Sequence, residues 1–316
     1  MADKCPICYK KSHELVRGRV NGESKGQIKT KVWRCRDCEL DFLETWDDSE
    51  YIKSLYEGAN YVYSANISNN VNIPLKYNEY EERLKKMKPF LNKDHTLLEI
   101  GSGDGTFLRM VSPYVAVAEG VELSPIQAER LRKEGFTIYD TIIDEVEPVK
   151  SYNIVCMFQL LEHVPNVTTF LECLKKYLSY NSMIFIEVPN LNCPLLSCYD
   201  IPGYRDMQYR IIHQYYFTLK ALGKLLEKCS YGFEIRTLQQ ASITNHFHWM
   251  YTQIRQPTKN HMSSAVLPVP YFSKGHIDSN LVKDVLEVTD NFYRQMLEKR
   301  DLGNLIYARA WLKNMH

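Results

Sequence analysis

The stretch from Leu97 to Leu108, which reads LLEIGSGDGTFL, restricts the fold more than any other part of the chain. A short apolar run enters three glycines at alternate positions and leaves as an amphipathic segment, the pattern of a strand, a tight turn and a helix start. Glycine belongs at such a turn where the backbone needs positive φ, or where a ligand presses so close that a Cβ would collide. In an open α/β sheet this turn lies at the carboxyl end of the first strand, where ligands bind. The next strand ends in Gly120-Val121-Glu122-Leu123. An acid at that point can accept hydrogen bonds from two ribose hydroxyls. Glu99 precedes the loop and Asp104 sits inside it, so the pocket suits a cationic nucleoside and disfavours a pyrophosphate.

Beyond this turn, short apolar runs alternate with amphipathic helices. The runs Thr96–Ile100, Val115–Val121, Phe136–Tyr139, Tyr152–Phe158, Met183–Val188, Phe233–Leu238 and Phe247–Thr252 predict a Rossmann-like, doubly wound, mostly parallel α/β sheet of seven strands. Ser279 to Arg300 predicts a long helix with Leu281, Val285, Val288, Phe292 and Met296 on one stripe, and a shorter helix is expected after Gly303. That stripe packs either on the chain's own core or on a second copy, which leaves a homo-oligomer open. The 316 residues are 45% hydrophobic, enough for a sizeable core. Lys and Arg total 39 against 38 Asp and Glu, so no overall basic field recruits nucleic acid, and such a partner is disfavoured. No apolar stretch approaches the roughly 20 residues of a bilayer span, and the first residues have no apolar leader. A cytoplasmic protein that does not contact membrane is expected.

Four of the nine cysteines form two C-x-x-C pairs, Cys5 with Cys8 and Cys35 with Cys38. Two such turns can close a tetrahedral four-thiolate zinc site, which leaves no coordination position open for catalysis and is therefore structural. The intervening residues alternate apolar with polar on either side of Asn21-Gly22, a hairpin signal. The organisation expected is a zinc ribbon over 1–46, a helical arm over 47–92, a core over 93–254 with a substrate cap at about 190–217, and a helical extension over 255–316.

The E-x-G-x-G-x-G turn at Glu99, the acid Glu122, and Asn153 to Val164 (NIVCMFQLLEHV) resemble class I S-adenosylmethionine-dependent methyltransferases. The cysteine pairs, the aromatic arm Asn60 to Ser64, Ile186 to Asn190 (IEVPN) and His213 to Thr218 (HQYYFT) together are similar to the zinc-containing sugar methyltransferases of deoxysugar and surface-glycan pathways. The resemblance implies donor contacts at Glu99, Gly101, Ser102, Gly103, Glu122 and Leu123, with Asp140 and Thr141 beside the adenine. Phe158, Gln159 and His163 would border the donor's methionine end. His213 is the expected general base, and Tyr63 on the arm would close over the donor. Asn190, Tyr216, His246 and His248 are the expected acceptor contacts, the last two on one side of a strand-like segment. S-adenosylmethionine and a structural Zn²⁺ are the implied cofactors, and a small molecule such as a nucleotide-activated sugar is the implied acceptor. Where the 3-C-methylating members carry Glu-His, this chain has Ile212-His213, and its C-terminal part is short, which favours methylation at oxygen or nitrogen. Two other readings stay open. The ribbon cations Arg17, Arg19, Lys25, Lys29, Lys31, Arg34 and Arg36 would suit an rRNA or tRNA base methyltransferase, and a non-catalytic assembly protein would keep the same fold.

Overall fold

Strands β1 (His13–Arg17) and β4 (Val32–Cys35) pair antiparallel beside the cysteine knuckles, and β5 (Asp41–Leu43) joins β4. Between β1 and β4, the short strands β2 (Val20–Asn21) and β3 (Gln27–Ile28) close a hairpin of their own. This computed structural model describes residues 4–44, 74–141, 143, 148, 150–255 and 279–313. Tyr63 and the rest of the aromatic arm lie outside them.

After helix α1 (Pro74–Met87) the chain enters the main sheet at β6 (Thr96–Ile100), followed by α2 (Thr106–Val111), β7 (Val117–Val121), α3 (Pro125–Lys133), β8 (Thr137–Tyr139) and β9 (Tyr152–Phe158). Helix α4 (Val167–Leu174) leads to β10 (Leu178–Pro189). A cap of two short helices, α5 (Pro194–Ser197) and α6 (Pro202–Gln208), and a small strand, β11 (Tyr215–Tyr216), follows. Then come α7 (Leu219–Lys228), β12 (Tyr231–Leu238), α8 (Ile243–Thr252), α9 (Ser279–Glu298) and β13 (Leu305–Leu312).

The sheet has the order β12-β13-β10-β9-β6-β7-β8, with β10, β9, β6, β7 and β8 parallel and β13 antiparallel to both its neighbours. Its central strands are apolar on both faces because both are covered. Leu98, Ile100, Val155 and Met157 pack with Leu171 and Leu222 on one side. Their alternates Leu97, Ile154 and Cys156 pack with Met87, Phe107 and Leu131 on the other. No helix of the described residues is long and apolar enough to cross a membrane.

Two elements differ from expectation. Phe247–Thr252, read as a strand from its aromatic content, is the second half of α8. The Ser242 side chain caps that helix by accepting from the Asn245 backbone N–H, and Asn245 and Trp249, one helical turn apart, are both buried. The seventh strand is β13, in place of the short helix expected after Gly303. There Ile306, Ala308 and Ala310 face one layer of the core, and Leu305 and Tyr307 face the other, a period of two that a helix cannot satisfy.

β11 leaves the cap and pairs antiparallel with β5, with Tyr215 opposite Phe42 and Tyr216 opposite Asp41. The N-terminal sheet therefore has the order β1-β4-β5-β11, and the cap supplies its last strand. Cys5, Cys35, Leu40 and Phe42 share one core cluster with Leu171, Phe217 and Leu222. The cysteine knuckles thus rest on the main domain.

Candidate active site

The glycine turn is tied to the next strand by the N–H groups of Gly101 and Ser102, both donating to the Val121 carbonyl at 2.9 and 3.0 Å. Ser102 Oγ donates to the Glu99 carbonyl at 3.1 Å. Gly103 has φ +53°, and a Cβ built there would meet nothing within 4 Å, so the loop leaves open space at this point. At Gly105 (φ +73°) a Cβ would collide with Leu131, so helix α2 can approach α3 only because that position is bare.

Two acids frame the open space. The Glu99 carboxyl is 3% exposed, and its Oε2 has no hydrogen-bond partner. Burial pushes its pKa well above the usual carboxylate range, opposed by the nearby Arg83 cation and reinforced by Asp104 and Glu122. Glu122 accepts the N–H of Gly103 at 2.6 Å and that of Ser124 at 2.7 Å, one on each oxygen. It thus clamps the loop to the end of β7 while each oxygen keeps a second lone pair. Burial raises this acid as well, against those two backbone bonds. Leu123, Asp140 and Thr141 are exposed, and Asp140 pairs with Arg132 at 3.0 Å.

At the end of β9, Phe158 meets Phe107 edge-on at 4.9 Å and lies under the Arg83 guanidinium at 4.8 Å. Gln159 takes φ +54° there, with its backbone N–H bound to the Glu187 carbonyl at 2.8 Å and its side-chain amide 3.4 Å from Glu187 Oε1. Sequence reasoning missed the hub of this corner. Arg83, on α1, and Glu187, on β10, form a buried ion pair, with Arg83 Nε 3.1 Å from Glu187 Oε1 and the guanidinium stacked on Tyr80 at 4.9 Å. Glu187 lies in the IEVPN segment, but nothing local announces its pairing with Arg83, because the partners come from elements 104 residues apart.

A second cluster lies at the cap, in a cleft lined by Asn190, Tyr209, His213, Tyr215 and Tyr216. His213 is 6% exposed, and its Nδ1–H donates to the Gln208 carbonyl at 3.0 Å. Its ring meets His163 edge-on at 4.8 Å and Tyr216 at 5.8 Å. His163 Nδ1–H donates to the Ile212 carbonyl at 3.2 Å. Burial is the main cause that lowers His163 to about 4 and His213 well below 6.5, so both rings are neutral at physiological pH. Beside them is Glu162, which the sequence reading passed over. It is 2% exposed, burial pushes it up to about 8, and its Oε2 has no hydrogen-bond partner.

Of the remaining expected contacts, Tyr216, Asn190 and His246 have partners within the protein. Tyr216 donates its hydroxyl to the Arg210 carbonyl at 2.9 Å and stacks on Tyr209 at 4.5 Å. The Asn190 amide donates to the carbonyls of Asp301 and Gly303 at 3.2 and 2.7 Å, pinning the turn into β13. His246 and His248 lie on helix α8, so they do not share a side as they would on a strand. His246 is 2% exposed and joins α8 to α9 through a 2.6 Å bond to the Tyr293 hydroxyl, with Gln239 on its other nitrogen at 3.2 Å.

The four ribbon sulfurs lie within 4.8 Å of one another, with Cys5 to Cys38 at 3.6 Å and Cys8 to Cys35 at 3.5 Å. Thiolates on a tetrahedral zinc stand about 3.8 Å apart, as follows from a Zn–S bond of about 2.3 Å, so the residues present fit the ion with a shift of at most about 1 Å. Four of the ribbon cations are already in ion pairs: Arg17 with Asp206, Arg34 with Asp41, Arg36 with Glu14 and Lys31 with Glu44.

Comparison with known proteins bears on the same region. A family profile described as "Methyltransferase domain" matches residues 75–238. A SAM-dependent methyltransferase from Archaeoglobus fulgidus is 17% identical, over 79% of this chain and 97% of that one, with a TM-score of 0.49. A possible histamine N-methyltransferase from Thermotoga maritima is 16% identical, over 75% and 95%, with a TM-score of 0.43. The sugar N-methyltransferase KedS8 from Streptoalloteichus is 14% identical, over 45% and 56%, with a TM-score of 0.33. No curated relative matches the sequence.

Proposed function

Since the chain belongs to the methyltransferase-domain family and is an S-adenosylmethionine-dependent methyltransferase, we propose that its acceptor is a small molecule, an activated sugar or glycan precursor, methylated at oxygen or nitrogen. The observation that carries the donor side is the buried, unpartnered Oε2 of Glu99 on the strand that leads into the open glycine turn. Ionising a buried acid that has one unpartnered oxygen is costly, and a cationic ligand offsets that cost. Glu99 would face the donor's ammonium, Glu122 its ribose hydroxyls, and the end of β9 its methionine portion. When bound, S-adenosylmethionine supplies a methyl group on a positively charged sulfur.

The chain's own residues then have two tasks, alignment and proton removal. Alignment is worth several kcal/mol in such displacements. In this reading the cleft at the cap, which His213 and Tyr216 line, is where the acceptor binds. His213 holds its proton on Nδ1 against the Gln208 carbonyl, which leaves Nε2 to receive the acceptor's proton. The cysteine site, with structural zinc bound, fixes β5 and through it β11 and the cap. The near-neutral charge and the paired ribbon cations weigh against RNA as acceptor, because phosphate contacts dominate such affinity.

The test follows labelled methyl from the donor into a panel of nucleotide sugars and into total RNA, alongside His213→Ala. Label in a sugar, lost with His213→Ala while S-adenosylhomocysteine still binds, is the expected result. Label in RNA alone overturns the acceptor class.

A further inference from the structure

Glu162, His163 and His213 come from two separate parts of the chain, the turn after β9 and the loop before β11, yet one ligand atom from each lies within 4.8 Å of the others. Their hydrogen bonds have a pattern that proton transfer alone does not require. Both imidazoles commit Nδ1–H to a backbone carbonyl, Ile212 for His163 and Gln208 for His213. Both therefore carry the lone pair on Nε2. Metal-binding histidines are fixed in this way, with the second nitrogen donating to a carbonyl that sets tautomer and ring angle. The third member is a carboxyl that is 2% exposed with one oxygen lacking any partner, and its other oxygen is 3.9 Å from His163 Nε2. Arg210, whose charge acts on Glu162, is paired with Glu23 at 2.6 Å.

We infer that Glu162, His163 and His213 form a second metal site, separate from the four cysteines, that takes a divalent transition-metal ion and stops methyl transfer when filled. Two imidazoles and one carboxylate select zinc, cobalt, nickel or ferrous iron over magnesium or calcium, which prefer all-oxygen sets. Burial keeps both rings in the neutral form that ligation needs. Ligands on such an ion stand roughly 3–3.5 Å apart, so the side chains need to close by at most about 1.5–2 Å. The inhibitory part rests on the proposed role of His213. Coordination occupies the Nε2 lone pair that would otherwise receive the acceptor's proton, and a dication there repels the donor's sulfonium.

The experiment uses the full-length protein with its cysteine site loaded with zinc. Calorimetric titration with Co²⁺ should show one further equivalent. Glu162→Gln and His213→Asn should each weaken that equivalent by at least about tenfold, while both variants keep the cysteine-bound zinc and bind S-adenosylhomocysteine, which shows that they fold. Added Zn²⁺ should lower wild-type turnover, and a weak chelator should restore it. Absence of a second equivalent, or one unchanged in both variants, overturns the site. Turnover that rises with metal overturns the inhibitory assignment. The equivalents are counted without substrate, so failure of the donor reading would show separately, as lost S-adenosylhomocysteine binding.

Discussion

Replacing Glu122 with glutamine removes one negative charge and leaves the side chain's size unchanged. In the structure each carboxylate oxygen accepts a backbone N–H, from Gly103 at 2.6 Å and from Ser124 at 2.7 Å. Glutamine has one acceptor oxygen, so its amide nitrogen must confront one of those N–H groups, and the loop loses a charge-assisted bond worth about 1.5–3 kcal/mol. On the ligand side, two hydroxyl-to-carboxylate bonds become a single neutral one, a loss of similar size. With part of the loop's loss shared by the empty protein, donor affinity should fall by about 2–3 kcal/mol, roughly 30- to 150-fold. Titration calorimetry with S-adenosylhomocysteine measures this directly. A decrease of less than about threefold would refute the assignment of Glu122 to the ribose.

Other substitutions and conditions probe other parts of the argument. Glu187→Ala should destabilise the protein by about 3–5 kcal/mol in denaturant unfolding, since it leaves the Arg83 cation buried alone, and Arg83→Met in the same chain should recover most of the loss. Gly105→Ala, which combines positive φ with a collision at Leu131, should cost more than about 1 kcal/mol in the same assay. Glu99 keeps its proton in the folded state at pH values where the unfolded chain has released it. The empty protein should therefore lose stability as pH rises from 4.5 towards the raised pKa of Glu99, and donor binding should tighten over that window with release of a proton. Thermal unfolding against pH, with and without S-adenosylhomocysteine, checks both signs. With zinc in the proposed four-cysteine site, Cys38→Ser should lower stability by more than about 2 kcal/mol and alter the near-ultraviolet dichroism of Tyr209 and Tyr216, because metal binding there would contribute folding energy.

The parts of this molecule legible in the sequence are those set by local chemistry. The glycine turn, the acid after β7 and the cysteine pairs each bring the relevant atoms together within a few residues. Alternating apolar runs gave the central strands for the same reason. The seventh strand was lost because Ala308, Arg309 and Ala310 dilute the strand pattern, and α8 was mistaken because its aromatic residues outweighed the Ser242 cap. Three site features required tertiary contacts. Glu162 joins His213 only because the cap brings that histidine to the turn after β9. Arg83 and Glu187 meet only after α1 packs on the sheet. Asp41, fully buried, takes two bonds from Arg34 at 2.6 and 2.9 Å and one from the Tyr209 hydroxyl at 2.7 Å, a partner 168 residues away.

The shared strand pairing between β5 and β11 has a further consequence during synthesis. The first forty-odd residues leave the ribosome with a sheet whose outer edge is open until residue 216 emerges, a wait of roughly 10–30 s at ordinary translation rates. Open edges invite pairing with neighbouring chains. The nascent polypeptide therefore has a built-in period of exposure, and a chaperone or slow production should raise the yield of native protein more than any change to its finished surface.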